Sequence, residues 1–158
     1  MKRVLYTCFF IFIAVVTSLV YRYVHEDLIL INNGDTSFHH DDYPKAAHYY
    51  SLAIQKGARS DYAFSQLEDA FLLAAQSDKI MTLYLSLTKE FPHDTPLLHQ
   101  VGKFYVKRDL FENAKEVYKK ILTIHPDDAF ARLWLARILT WSGDFNEALY
   151  NYNMMLHP

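Results

Sequence analysis

Glycine, proline and cysteine are scarce in this sequence of 158 residues, which contains four, five and one of them, respectively. So few glycines and prolines are typical of a mostly helical chain, because both residues interrupt regular helices. The single cysteine, Cys8, cannot form a disulfide within the chain. The formal net charge is only −2, which argues against nucleic acid as a partner, because such binding depends on basic side chains.

The motifs that carry the commonest enzyme chemistry are also absent from the sequence. It has no glycine-rich phosphate loop, no HExxH zinc motif, no paired-cysteine metal site and no serine in a nucleophile elbow. We therefore predict a protein that is not an enzyme, with no catalytic residues and no cofactor.

The sequence does contain a repeat with a period of 34 residues. Its clearest column is a tyrosine, found at Tyr50, Tyr84, Tyr118 and Tyr152. A column of mostly small residues precedes it, at Ala46, Ile80, Ala114 and Ala148. Several columns that repeat together are a far stronger signal than one short motif, because chance must succeed in all of them at once.

Each repeat contains two helical segments. In the third repeat, apolar residues recur at spacings of three and four from Leu98 to Tyr105 and again from Ala114 to Leu122. Turn-forming residues separate the two segments, and Pro126 follows the second one. Each repeat is therefore predicted to be a helix, a tight turn and a second helix. Because one such hairpin cannot bury its apolar faces alone, the hairpins must stack.

This pattern resembles the tetratricopeptide repeat (TPR) family, in a membrane-anchored bacterial form. The matching positions in the third repeat are Leu98, Val101, Gly102, Tyr105, Ala114, Tyr118, Ile121 and Pro126. The resemblance covers residues 27–158, as four repeats of about 27–60, 61–94, 95–128 and 129–158. It implies an all-α fold in which four helix-turn-helix hairpins form a right-handed superhelix, and a non-catalytic scaffold that mediates protein–protein interaction.

An uncharged segment, residues 4–21, follows the basic residues Lys2 and Arg3. A helix of this length spans about 27 Å, close to the roughly 30 Å hydrocarbon thickness of a bilayer. We expect residues 1–24 to be a retained transmembrane helix that precedes the repeats; a cleaved signal peptide is the alternative. The basic N-terminus would remain in the cytoplasm, which places the repeats on the periplasmic, extracytoplasmic side of the inner membrane.

No glycine or proline occurs between residues 4 and 33. The membrane helix is therefore expected to continue with little interruption into the first helix of the first repeat, because the two strongest helix-breaking residues are missing. Unlike a flexible Gly/Ser tether, such a junction would fix the distance of the repeats from the bilayer.

In the TPR family, the first helices of successive repeats line a concave groove that binds extended peptides or partner helices. Carried over by position, the predicted groove residues are Tyr62, Ser65, Asp69, His99, Lys103, Phe130, Leu133, Arg137 and Trp141. The groove would run from acidic at Asp35 and Asp69 to basic at Lys103 and Arg137. Aromatic and arginine side chains often anchor interfaces, so the partner is expected at the basic end.

A second interface is predicted at the end of the last repeat. Repeat arrays usually finish with a polar-faced capping helix, whereas this sequence stops after the second helix of the fourth repeat. The residues expected to be uncovered are Tyr150, Met154, Met155 and Leu156. A second copy of the chain, a different protein or residues missing from this sequence would cover them.

These features predict a docking subunit in the assembly of an envelope complex, with exopolysaccharide synthesis or export as the leading pathway. Cytochrome maturation and periplasmic quality control are the alternatives within this interpretation. A different interpretation makes the chain an accessory subunit that holds a metal ion for a partner enzyme. It rests on a cluster of metal-ligand residue types, His39, His40, Asp41, Asp42 and His48. We predict no metal there, because an inter-helix turn accounts for these polar residues, with an aspartate as helix cap.

Overall fold

The computed structural model describes residues 2–156, although not the side chains of residues 2–5, 7 and 8. The described secondary structure is entirely helical, which confirms the all-α prediction. The described helices are α1 (Lys2–Val24), α2 (Glu26–His39), α3 (Tyr43–Gln55), α4 (Asp61–Leu73), α5 (Asp78–Glu90), α6 (Thr95–Val106), α7 (Phe111–Ile124), α8 (Ala129–Trp141) and α9 (Phe145–Leu156). The chain divides into two compact units, unit 1 up to Ile80 and unit 2 from Met81, so the boundary falls inside α5.

The 34-residue period is visible in the backbone itself. The turns after α2, α4, α6 and α8 each contain one residue with a left-handed conformation. These residues are Asp41 (φ 59°), Ala75 (φ 54°), Asp109 (φ 57°) and Gly143 (φ 85°). A single left-handed residue is a common way to end a helix and reverse the chain. The turn geometry therefore recurs although the residue type does not.

Helix starts recur at the same interval. The side chains of Ser60, Asp94 and Asp128 each accept a hydrogen bond from the backbone N–H three residues later, at the starts of α4, α6 and α8. Such a cap satisfies one of the free N–H groups of the first turn and contributes about 1 kcal/mol. Asp42 caps α3 in the same way, which confirms the role predicted for Asp41 or Asp42.

In unit 1, α3 packs against α2 and α4. Small residues allow the close approach: a Cβ atom on Gly34 of α2 would lie only 2.6 Å from Cε1 of Tyr50 on α3. The ring of Tyr50 is fully buried. The buried apolar side chains of α3 and α4 are Ala46, Ala47, Tyr50, Ala53, Ile54, Ala63, Phe64, Leu67, Ala70 and Phe71.

In unit 2, α7 packs against α6 and α8, and α8 packs against α9. A glycine again packs against a tyrosine ring, since a Cβ on Gly102 of α6 would lie 2.7 Å from Cζ of the buried Tyr118 on α7. The ring of Tyr84 packs edge-on against Phe104, with centroids 4.8 Å apart. Unit 2 therefore forms a core of its own.

The N-terminal helix does not run straight into the first repeat. His25 has non-helical backbone angles (φ −112°, ψ 27°), and the segments on either side of it, Phe9–Val24 and Glu26–His39, are bent by 71°. The expectation of a nearly uninterrupted helix is therefore wrong. The break needs no glycine or proline because a new helix starts at Glu26 and Asp27, whose negative charges suit a helix N-terminus.

Within residues 2–156, no single helix has both the length and the apolar composition that a membrane crossing requires; the part of α1 from Phe9 and the whole of α2 meet these criteria only as a bent pair.

Candidate functional site

In unit 1, a carboxylate joins three helices through two tyrosines. Asp35 on α2 accepts hydrogen bonds from the hydroxyls of Tyr50 on α3 and Tyr62 on α4, both at 2.7 Å from Oδ1. The hydrogen bond to Asp35 is the main cause that raises the pKa of Tyr62 to about 12. Burial first, and then the same carboxylate, raises the pKa of Tyr50. The carboxylate predicted as the acidic end of a groove is thus engaged within the unit.

The other groove residues predicted in unit 1 lie on one helix. Tyr62, Ser65 and Asp69 all belong to α4 and are exposed. Residues at spacings of three and four lie on one side of a helix, so these side chains share a face. Tyr62 is held through its hydroxyl, whereas Ser65 and Asp69 extend into solvent.

In unit 2, five aromatic side chains form a continuous series, which we call the aromatic row. The row consists of His99, Phe130, Trp134, Trp141 and Phe111 in that order. The ring centroids of successive members are 5.1, 6.1, 6.4 and 5.5 Å apart. Edge-on and tilted contacts at these distances are favourable arrangements for aromatic rings. Since members of the row come from α6, α7 and α8, the packing of these three helices creates it.

Two basic side chains lie against the aromatic row. Nζ of Lys103 is 5.5 Å from the centroid of Phe130, and Cζ of Arg137 is 5.2 Å from that of Trp134. Cations over aromatic faces at this distance are attracted by about 0.5–1 kcal/mol at exposed sites. Phe130 and Trp141 nevertheless keep 43% and 52% of their surfaces exposed. The row therefore offers flat apolar surface and positive charge together.

Asp128 fixes the start of the row. Its Oδ1 accepts a hydrogen bond from the N–H of Ala131 at 2.8 Å, and its Oδ2 lies 2.8 Å from Nε2 of His99. Burial by itself raises the pKa of Asp128, but the N–H of Ala131, the ring of His99 and the N–H of Phe130 outweigh burial and hold that pKa below its usual value. Asp128 thereby caps α8 and orients a side chain of α6.

Of the groove residues predicted in unit 2, the structure brings His99, Lys103, Phe130, Arg137 and Trp141 into one surface. Leu133 lies on the same helix as three of them and is half-buried. The prediction missed Trp134, which lies at the centre of the row, and Asp128. The spacing of Phe130, Trp134 and Trp141 at four and seven residues could have revealed Trp134, because it places all three on one face of a helix.

Comparison with known proteins identifies the repeat family of one segment. The family model of the tetratricopeptide repeat matches residues 105–149, which contain α7, α8 and most of the aromatic row. Residues 105–149 therefore match the tetratricopeptide repeat. The crystal structure of YrrB, described as a TPR protein with an unusual peptide-binding site, has the same fold. It has a TM-score of 0.53 and 15% identity, and the match covers 78% of this chain and 63% of YrrB. At that identity the likeness concerns the fold alone.

Two curated relatives match shorter stretches. BBSome complex member BBS4 from Bos taurus is 29% identical over 97 residues, or 61% of this chain and 19% of BBS4. Aspartyl/asparaginyl beta-hydroxylase from Homo sapiens is 33% identical over 63 residues, or 40% of this chain and 8% of that protein. The chain thus spans less than a fifth of the length of either relative.

The histidine and aspartate cluster extends from the end of α2 into α3: His39 ends α2, His40, Asp41 and Asp42 form the turn, and His48 lies in α3. His39, His40 and His48 are exposed, and Asp42 is the helix cap described above. Asp41 accepts a hydrogen bond from the hydroxyl of Tyr43 at 2.7 Å. Within residues 2–156, no group of three histidine, cysteine, aspartate or glutamate side chains is arranged to hold a metal ion.

The last hairpin carries exposed apolar residues on α9. Tyr150, Met154 and Leu156 are exposed, whereas Met155 is half-buried. Met154 and Met155 line a cleft of about 280 Å³ with Arg132 and the Pro126–Asp127 segment. Whether these residues form an interface stays a prediction.

Proposed function

We propose that this chain is a non-catalytic module that binds another protein through the aromatic row. The observation that carries the proposal is the exposure of Phe130 and Trp141 within a series of rings that α6, α7 and α8 hold in place. Rigid aromatic side chains bury much surface at little cost in conformational entropy, so they are frequent anchors of protein interfaces. The peptide-binding site of YrrB and the membership of BBS4 in a complex agree with this role.

The difference between the two units indicates the charge of the partner. In unit 1, Asp35 supplies the carboxylate beside the buried tyrosine Tyr50. Two repeats later, the corresponding residues are Lys103 and Tyr118, and the hydroxyl of Tyr118 has no hydrogen-bond partner within residues 2–156. With Lys103 and Arg137 both on the row, we infer that the bound segment presents an acidic side chain to them.

The double variant Arg137→Glu/Trp141→Ala is expected to weaken partner capture at least about tenfold, because it reverses one charge and removes an anchor at an interface. Both side chains are exposed, so circular dichroism and thermal melting should show that the fold is kept. The measurement is quantitative mass spectrometry of proteins that co-purify with the tagged full-length chain after gentle detergent extraction.

The matched control is Lys107→Glu/Phe145→Ala, which changes one exposed cation and one exposed aromatic ring of unit 2 outside the row. This control variant should capture the partner protein as efficiently as the natural chain does. Equal capture by the Arg137→Glu/Trp141→Ala variant would move the binding site away from the row.

We further propose that the N-terminal segment attaches the chain to a membrane, with the repeats on the extracytoplasmic side. There the chain would serve as a docking subunit of an envelope complex, such as one for exopolysaccharide synthesis or export. Every large apolar side chain from Phe9 to Val24 is at least 40% exposed, which supports the proposal. A continuous apolar surface of this kind needs lipid or another protein to cover it.

The double variant Ile11→Asp/Val15→Asp is expected to release the chain from membranes, because each aspartate in the centre of a bilayer costs about 2.5–3.5 kcal/mol. Carbonate washing of membranes, followed by immunoblotting of pellet and supernatant, measures the release. Leu72→Asp is the control, since Leu72 is similarly exposed but lies on α4, outside the bent pair. Full retention of the double variant in the pellet would refute membrane attachment through α1.

A further inference from the structure

Unit 2 contains a cleft that is separate from the aromatic row. It measures about 450 Å³ and lies between α5 and α7, over α6. Its floor consists of Leu98, Val101 and Tyr105 of α6, and its walls include Leu85 of α5 and Val117 of α7. The row uses the other side of α6, where His99 and Lys103 lie. The same helix therefore serves two different surfaces.

An ion pair of the following repeat has no counterpart at this cleft. In the following repeat, Lys119 of α7 and Glu147 of α9 form an ion pair, with Nζ and Oε1 3.1 Å apart. The residues 34 positions earlier are Leu85 and Asn113, which cannot form an ion pair. Leu85 instead has 55% of its surface exposed at the mouth of the cleft. Leu85 and the apolar floor together form a contiguous apolar surface, which is the kind of surface that marks an interaction site.

The rim of the cleft on α7 is acidic at one end. Glu112 and Glu116 lie one helical turn apart, and the carboxylate of Glu112 already binds Lys115 at 2.7 Å. Glu116 has no ion pair or hydrogen bond from its side chain to any residue in the range 2–156. Its charge is therefore available to a basic group that approaches the cleft.

We propose that this cleft is a second docking site, which takes an amphipathic helix of a partner protein. The helix inserts an apolar side chain of leucine size between Leu85 and Val117 and places a lysine or arginine beside Glu116. A volume of about 450 Å³ falls within the range of sites that bury a ligand and has room for more than one apolar side chain.

The helices around the cleft favour a helix as the occupant. The backbone N–H and C=O groups of α5 and α7 are used inside their own helices, so they offer nothing to an extended peptide that needs backbone partners. A bound helix satisfies its own backbone and is recognised by side chains at spacings of three and four. The apolar walls and the charge of Glu116 supply that kind of recognition.

The test uses a synthetic amphipathic peptide of leucine and lysine, with the leucines on one helical face, and a matched peptide in which glutamate replaces every lysine. Each is titrated into the full-length chain with isotope-labelled methyl groups. The leucine/lysine peptide should shift the methyl signals of Val117 and Leu98 in a saturable way. Glu116→Lys and Leu85→Gln should each weaken the binding of the leucine/lysine peptide about tenfold. The glutamate peptide should bind the natural chain no more tightly than the leucine/lysine peptide binds these two variants.

Two control variants separate this site from other surfaces. Leu73→Gln changes a leucine of similar exposure (52%) on α4 and should leave the affinity unchanged. Trp141→Ala should also leave it unchanged, because Trp141 belongs to the row and not to this cleft. Unchanged affinity in Glu116→Lys, equal binding of the two peptides, or loss of binding in Trp141→Ala would each overturn the proposal.

Discussion

Alanine in place of Gly34 is expected to lower the free energy of unfolding of unit 1 by up to about 2 kcal/mol, because overpacking a core usually costs about 1–3 kcal/mol and helix propensity offsets part of it. The new Cβ would lie 2.6, 2.8 and 2.9 Å from three atoms of the Tyr50 ring. That ring cannot move aside easily, because it is fully buried and its hydroxyl is bound to Asp35. Alanine gains about 1 kcal/mol in helix propensity over glycine, so the clash decides the sign.

Chemical denaturation of the full-length chain measures this effect, with hydrogen exchange in α2 and α3 to localise it to unit 1. The double variant Gly34→Ala/Tyr50→Leu tests the cause, since a shorter side chain leaves room for the Cβ. It should lose less stability than the sum of the two single variants. If Gly34→Ala is as stable as the natural chain, the contact between α2 and α3 is looser than the structure shows.

The helices and their order can be predicted from the repeat, because apolar spacing and turn residues are both local properties of the sequence. Apolar spacing of three and four predicts helices, and polar residues between the segments predict turns. The turn conformation itself is less visible in the sequence. Ala75 takes the same left-handed conformation as Gly143, although alanine is not a residue that favours it. Its position in the repeat, rather than its identity, indicates the turn.

The chemistry of the predicted groove depends on packing between helices, which the sequence does not specify. The residue pattern predicts an acidic end of the groove at Asp35, but tyrosines 15 and 27 residues later donate hydrogen bonds to its carboxylate. Asp128 and His99 are likewise separated by 29 residues. Such pairs form only when neighbouring helices reach a particular distance and rotation. The pattern of residue types therefore predicts which residues of α6 and α8 share a surface. It does not predict which carboxylates, such as that of Asp35, already accept hydrogen bonds within the chain.

Tyr50→Phe and Tyr118→Phe are expected to have unequal effects, although the two residues occupy the same position in their repeats. Tyr50→Phe removes a hydrogen bond to a carboxylate, and such bonds contribute about 1.5–3 kcal/mol. Tyr118→Phe removes a buried hydroxyl that has no partner within residues 2–156. Burying an unpaired polar group is itself costly, so this change should be neutral or stabilising.

Denaturation of both variants at neutral pH measures the difference, and its pH dependence tests the cause. Burial first, and then the hydrogen bond to Asp35, raises the pKa of Tyr50 above the ordinary 10.0 in the folded chain, and the hydrogen bond to Asp35 is the main cause for Tyr62. The stability from this cluster is therefore complete below pH 10 and falls as the pH rises toward the folded pKa of Tyr62, about 12. Tyr50→Phe and Tyr62→Phe should each reduce that alkaline loss, whereas Tyr118→Phe should leave the part due to Asp35 unchanged. Equal losses in the free energy of unfolding for Tyr50→Phe and Tyr118→Phe would mean that the Asp35 carboxylate does not stabilise unit 1. The carboxylate would then be available in the groove, as the sequence predicts.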